Sequence, residues 1–444
     1  MFFDETSRSN VQTKLPVAVH AIIFAEEHLS QPSLVGLTRD RPLSLLPVAN
    51  RPLLHYLLEW LEAGGIQDAT LVVPPSSNLQ AESQLAQYFA KVYEGSIKVT
   101  LHPLKTQTGS AQVLAQLKSQ IQGHVLVLGG DFLATSPLAS LLTRHKLHRP
   151  ALTAYFYEPS KADVSAKDSG EQPPIIGVEP TRSQWVFYNQ KVEDLTLRQS
   201  LLNQFPRVQL HRTLFDSGVY IFSPWVIDFV VAMPSIVSIH RDLVPLLIKM
   251  QSRPTLSAWE YLNKAISTYE PLTRQYSTLP EKSSWHTVGL DSKSDSQTSV
   301  LVCQMVMQRT GILGRLNSLA AYHELNRQFA KSYPAEERIP ESVEKDKSSQ
   351  IGPDSLVGAC VKMAERSSIK KSVVGAHCHI GRNVKIANSV LMDYVIVEDG
   401  VKLEGCVIGP RATIQERAQL KDCEIGDSVS IAAEAQLKGS SIWE

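Results

Sequence analysis

The sequence predicts an α/β domain with a doubly wound, mostly parallel sheet, followed by a C-terminal parallel β-helix of hexad repeats. Three observations carry that prediction. Strand-like apolar runs alternate with helical ones through the first 270 residues; a charged stretch with almost no aliphatics follows; and from Val357 onward aliphatic residues recur with a period of 17. Alternating strands and helices build βαβ units, and a fixed-period repeat built of hexads builds a β-helix.

Taken in order, VAVHAIIFA (17–25) is apolar apart from His20, as a strand buried on both faces should be. Pro52 to Ala63 places apolar residues at helical spacing and stops at Gly64-Gly65. ATLVVPP (69–75) reads as a strand and GSAQVLAQLKSQI (109–121) as a helix. HVLVLGGD (124–131) is a strand that delivers an acidic residue at its C-terminal end, and ALTAYFY (151–157) and GVYIFSP (218–224) continue the alternation. Ligands of such sheets bind beyond the C-terminal strand ends. Residues 157–174 read as an exposed loop, and periodicity weakens after about residue 255. The stretch 330–354 is charged and rich in Pro and Ser, which reads as a linker. The expected boundaries are a tail at 1–16, an α/β domain at 17–329, the linker at 330–354 and the β-helix at 355–444.

The β-helix rests on a ruler. Aliphatics fall at Val357, Met363, Ile369, Val374 and onward to Ile442 in steps of six, six and five, repeated five times. Two residues before each stands a small or β-branched side chain, from Val361 through Cys378 and Ala412 to Ser440. One inward aliphatic per face and one small residue at the adjoining corner is what a triangular coil requires, with coils stacked at about 4.8 Å. Cys406 and Cys423 lie 17 apart and so occupy the same corner of adjacent coils. Spacing alone does not forbid a disulfide, but Ser389, Ala412 and Ser440 fill equivalent slots, so a small buried hydrophobe is the simpler account.

Lys plus Arg equals Asp plus Glu at 44 each, so no electrostatic footprint points to nucleic acid. No apolar run approaches the 18 or more residues of a membrane span, and MFFDETSRSN lacks the apolar core of a secretory signal. All five cysteines lie beyond residue 300, and an odd count without a leader reads as reduced, cytosolic thiols.

RPLSLLPVANRPLLHYLLEWLEAGGIQDATLVV (41–73), TGSA (108–111), LVLGGD (126–131) and FDSGVYIFSP (215–224), in that order, resemble the sugar-nucleotide pyrophosphorylases. That nucleotidyltransferase family often carries a C-terminal left-handed β-helix, so the resemblance spans nearly the whole chain. Its active members place a Gly-rich GGxGTR loop after the first strand, where backbone amides approach phosphates. Here Glu26-Glu27-His28-Leu29-Ser30-Gln31-Pro32 stands in its place, and two carboxylates would repel a triphosphate. The family's catalytic Pro-Lys-Pro is Asp40-Arg41-Pro42 here; Arg41 keeps the charge with different geometry. Asp131 matches the family's metal-binding aspartate, and Thr108 and Gly109 match a segment that approaches the nucleotide. With the phosphate loop gone, Arg41, Thr108, Gly109 and Asp131 read as a vestigial nucleotide site, with no cofactor expected. Asp216 falls near the family's second carboxylate, too loosely to assign a role.

An eroded phosphate loop joined to a β-helix narrows the resemblance. With ERSSIKKSVVGAHCHIG (365–381) and SIHRDLVPLLIKMQ (238–251), the chain resembles the gamma subunits of eukaryotic translation initiation factor 2B. The paralogous epsilon subunit adds a helical-repeat domain that carries nucleotide exchange; this sequence ends at Glu444, so that domain is expected to be absent. The resemblance implies a cytoplasmic, non-catalytic partner of epsilon, within an assembly that includes alpha, beta and delta subunits. That assembly exchanges GDP for GTP on initiation factor 2 and is inhibited when the factor's alpha subunit is phosphorylated. Trp443, on the last coil, is the expected exposed partner contact. The alternative is a sugar-nucleotide pyrophosphorylase or its catalytically weak regulatory subunit, which the loop at 26–32 disfavours. A hexad-repeat acyltransferase, suggested by His377 and His379, would need a loop interrupting the ruler, and the ruler is uninterrupted.

Overall fold

The computed structural model describes residues 19–25, 36–39, 41–73, 75, 79–104, 106, 108–121, 123–158, 174–189, 197, 199–252, 302–308, 311–316, 318–334 and 336–443. Glu26, Glu27 and the rest of the loop after the first strand lie outside them, as do Asp40, most of the loop at 157–174 and the weakly periodic segment after residue 252.

The α/β domain is built on one ten-stranded sheet. Its strands are β1 (Val19–Phe24), β2 (Asp68–Val73), β3 (Lys98–Pro103), β4 (His124–Gly129), β6 (Leu152–Tyr157), β7 (Ile175–Glu179), β8 (Gln184–Asn189), β9 (Gln209–His211), β10 (Phe215–Phe222) and β11 (Cys303–Met307). The short β5 (Phe132–Ala134) pairs apart with β12 (Leu313–Arg315). The sheet order is β9-β7-β8-β11-β6-β10-β4-β1-β2-β3. On one side β4, β1, β2 and β3 run parallel, the arrangement that the alternating apolar runs predict. β10 then enters antiparallel between β4 and β6. Helices α1 (Leu53–Ala63), α2 (Leu79–Lys91), α3 (Ser110–Gln116), α4 (Leu138–His148), α5 (Gln199–Gln204), α6 (Pro224–Ala232) and α7 (Val244–Ser252) accompany it. Two apolar cores lie on the two faces, one around Ile22, Phe156 and Trp185 and the other around Ile23, Leu57 and Leu126.

The β-helix has three parallel faces of six strands each. A first face runs from Glu344–Lys345 to Ser430–Ile431, a second from Gln350–Ile351 to Gln436–Lys438, and a third from Leu356–Val357 to Ser441–Ile442. Every ruler residue from Val357 to Ile431 is buried in the axis, and Cys378, Cys406, Ala412 and Cys423 in the small-residue slots are fully buried. All five cysteines are free thiols, so 406 and 423 are packed hydrophobes as expected. Immediately before each slot the backbone is left-handed, from Cys360 (φ 56°) through Tyr394 (φ 61°) to Glu434 (φ 58°), with glycine at 400, 405 and 439. Only that conformation turns the chain through a corner tightly enough. It costs a non-glycine residue roughly 1–2 kcal/mol, which the stacked coils offset.

The linker expected at 330–354 is a correction. Helix α8 (Leu319–Ser332) runs into it, and Glu344–Lys345 and Gln350–Ile351 already pair with the next coil, so the β-helix starts one coil earlier. In this coil the ladder partners are 18 residues apart rather than 17, Lys345 opposite Met363 and Ile351 opposite Ile369, and Lys345 stands where later coils are aliphatic, so a 17-residue ruler passes over it.

The two domains share a core. On the third face Leu356, Val373, Val390 and Val407, also 17 apart, point away from the axis yet are buried against the segment 37–53 and α8. A two-residue hairpin joins Pro47–Val48 to Arg51–Pro52 through Ala49 and Asn50, both left-handed as a type I′ turn requires. Its tip docks by Asn50 Nδ2 donating to the Val374 carbonyl at 2.8 Å. Behind it, buried Asn326 of α8 accepts from the Ala49 N–H at 2.8 Å, and the Tyr322 hydroxyl donates to the Pro47 carbonyl at 2.6 Å.

One buried histidine and two half-buried ones give this fold an acid limit. His145 Nε2 lies 2.9 Å from His124 Nδ1, and burial pulls His145 well below the ordinary histidine pKa and His124 down to about 4. Burial between α8 and the β-helix lowers His323 to about 4 as well. Near pH 7 these groups are neutral in both the folded and unfolded chain. Below pH 6.5 the unfolded chain takes up protons the folded one refuses, so stability falls as pH drops toward 4. For His124 and His323 the loss should reach about 2 kcal/mol apiece at pH 5. Denaturant midpoints at pH 7 and pH 5 test this, and His323→Gln should shrink the difference.

Candidate functional site

A cavity of about 240 Å³ opens beyond the C-terminal ends of β1 and β4, lined by Phe24, Thr108, Gly109, Gly129, Tyr220 and His240 among others. This is where a doubly wound sheet places a ligand. Of the four expected vestigial residues, the structure brings only Thr108 and Gly109 to it.

The chain itself occupies the approach to the start of α3. The Ala111 N–H, one of the amides a helix start offers to an anion, donates instead to the Val237 carbonyl at 2.9 Å. Ser110 Oγ accepts from the Ile239 N–H at 2.9 Å. Val237 lies so close over Gly109 that a Cβ there would strike its carbonyl. The Thr108 hydroxyl is buried without a partner.

A π-helical turn, Ile239–Leu243, closes the far side. His240 is held between two tyrosines, Nδ1 at 2.9 Å from the Tyr220 hydroxyl and Nε2 at 3.0 Å from that of Tyr188. Asp216 accepts from the Tyr220 hydroxyl and, at 3.0 Å, from the Gly218 N–H. The sequence singled out Asp216 and the block around His240, but not their meeting, because β10 and the turn join only in the fold.

Asp131 is 5% exposed and already paired. Arg315 of β12 donates to its Oδ2 from Nε at 2.8 Å and from Nη2 at 2.7 Å, leaving Oδ1 without a partner. Arg315 escaped the sequence reading because β12 reaches Asp131 only by pairing with β5. The Mg²⁺ that the resemblance implies does not fit this donor set. A guanidinium occupies the carboxylate, Asp216 is bonded to protein donors, and no metal-binding group of three or more His, Cys, Asp or Glu occurs among the described residues.

Arg41 and Trp443 also stand elsewhere than expected. Arg41 turns away from the cavity to the β-helix, where Nη2 meets Asp427 Oδ2 at 3.0 Å. A cation at this position therefore ties the two domains. Trp443 is half-buried rather than exposed. Its ring lies against Gly36, where any Cβ would fall inside the indole, and it joins the interdomain core. His377 and His379 are exposed at the β-helix surface, His377 stacked on Tyr394 at 4.9 Å.

Comparison with known proteins accords with this two-part architecture. The nucleotidyl transferase family matches residues 33–166, and the family described as the EIF2B subunit epsilon LbH domain matches residues 339–437. Translation initiation factor eIF2B subunit gamma of Schizosaccharomyces pombe is 29% identical over 372 residues, covering 82% of this chain and 76% of that protein. The Dictyostelium discoideum protein of the same name is 27% identical, covering 75% and 81%. Mannose-1-phosphate guanyltransferase of Eremothecium gossypii is 25% identical over 48% of this chain and 54% of that protein. With a nucleotidyltransferase-like sheet, a β-helix that follows it, and relatives that match across both, the chain is similar over most of its length to the gamma subunits of translation initiation factor eIF2B.

Proposed function

We propose that the chain is a regulatory subunit of the guanine-nucleotide exchange factor that acts on initiation factor 2, working in the cytoplasm without chemistry of its own. In this reading it pairs with the epsilon subunit, stimulates exchange there, and sits in an assembly with alpha, beta and delta subunits. The observation that carries the non-catalytic reading is the Asp131–Arg315 ion pair: an active nucleotidyltransferase needs that carboxylate for its metal. The Val237 carbonyl over the start of α3 supports it independently.

Two measurements test the proposal. The purified chain, given Mg²⁺, a panel of nucleoside triphosphates and sugar phosphates, should release no pyrophosphate. Turnover at about 1 s⁻¹ or more, the low end for ordinary enzymes, would favour the guanyltransferase alternative instead. Added to the epsilon subunit, the chain should raise the rate of GDP release from initiation factor 2 while releasing none alone. An unchanged epsilon rate would remove the pairing half of the proposal.

A further inference from the structure

The three faces of the β-helix have different outward surfaces, and the second carries a charge pattern that nothing above accounts for. The third face is apolar and covered by the α/β domain. The second carries Lys370, Lys385, Lys402, Lys421 and Lys438 on its outer side, all exposed, against one outward acid, Glu404. Glu404 is paired with Lys421 at 3.2 Å. In-register stacking sets Lys385 beside Lys402 and Lys421 beside Lys438, at the inter-strand spacing of about 4.8 Å. Like charges held opposite one another on a sheet are destabilising, so the chain carries an unfavourable cationic array that an anionic surface would relieve. The rest of that side is Ser368, Ala387, Gln419 and Gln436, flat and free of large apolar groups.

We propose that this lysine face is a docking surface for an acidic polypeptide segment of a partner protein. The details favour protein over nucleic acid. No aromatic stands on the face to stack a base, and the cations are lysines rather than the planar arginines suited to paired phosphate contacts. The proposal stands apart from the exchange-factor reading and would hold if that reading failed.

The test uses the full chain and two labelled probes at equal concentration in 50 mM salt: a 20-residue poly-glutamate peptide and a 20-nucleotide single-stranded RNA. Fluorescence anisotropy should show peptide binding that weakens as salt rises. The variant Lys385→Gln/Lys402→Gln/Lys438→Gln should lose at least tenfold in affinity with a melting temperature no lower than the parent's. A control removing exposed lysines elsewhere, Lys91→Gln/Lys98→Gln/Lys347→Gln, should bind like the parent. Absence of peptide binding, or equal losses in both triple variants, would overturn the proposal. So would RNA bound more tightly than peptide through the same three lysines, which would make the face a nucleic-acid surface.

Discussion

Ile414→Asp is expected to unfold the centre of the β-helix. Ile414 is fully buried, with Val397 and Ile431 as its ladder neighbours above and below. A carboxylate there would have no hydrogen-bond donor to meet it in an axis of aliphatics. Removing the aliphatic packing and burying an unpaired charge together cost on the order of 5 kcal/mol, at the far end of what single substitutions do. Because each coil is held by its neighbours, the damage should spread to the coils on either side. Circular dichroism during thermal denaturation should show the transition lowered or split. Gln419→Asp, an outward and exposed change on an adjoining strand, should leave it within a degree or two. An unchanged transition in Ile414→Asp would show that position 414 does not face the axis.

Arg315→Met should be nearly as damaging, for an electrostatic reason. It removes both hydrogen bonds to Asp131 Oδ2 and leaves a 5% exposed carboxylate whose other oxygen already lacks a partner. Breaking a buried pair from one side typically costs about 3–5 kcal/mol, whereas replacing both partners costs far less. The double variant Arg315→Met/Asp131→Asn should therefore recover most of the stability lost in the single one, as read from denaturant midpoints. If Arg315→Met alone is as stable as the parent, Asp131 is not held by this pair and the argument against metal binding loses its main support.

Legibility in the sequence followed the range of the interactions. The β-helix was readable almost residue by residue, because its contacts repeat locally every 17 positions and each coil restates the same demands. What escaped was its first coil, whose partners lie 18 rather than 17 residues on and which puts Lys345 where an aliphatic is expected, and the second 17-residue series at Leu356, Val373, Val390 and Val407, which reads as ordinary surface until a covering domain is known. The left-handed corners had a trace in Asn383, Asn388, Gly400, Gly405 and Gly439, yet Arg, Tyr and Glu fill other corners and mask the rule.

The candidate site was legible only as a location. Thr108 and Gly109 line the cavity because local βα geometry puts them there. Arg41 and Asp131 were matched by motif, but their partners, Asp427 and Arg315, lie 386 and 184 residues away and reach them only through the packing of β12 and the β-helix. By itself, then, the sequence determined the class of both domains, the register of the repeat, and the place in the sheet where a ligand would sit. The tertiary structure alone decided that Asp131 is neutralised, that Val237 covers the start of α3, and that Arg41 and Trp443 bind the two domains together. Periodicity records what a residue asks of its near neighbours, whereas a charge or a ring takes its role from whatever distant chain the fold brings against it.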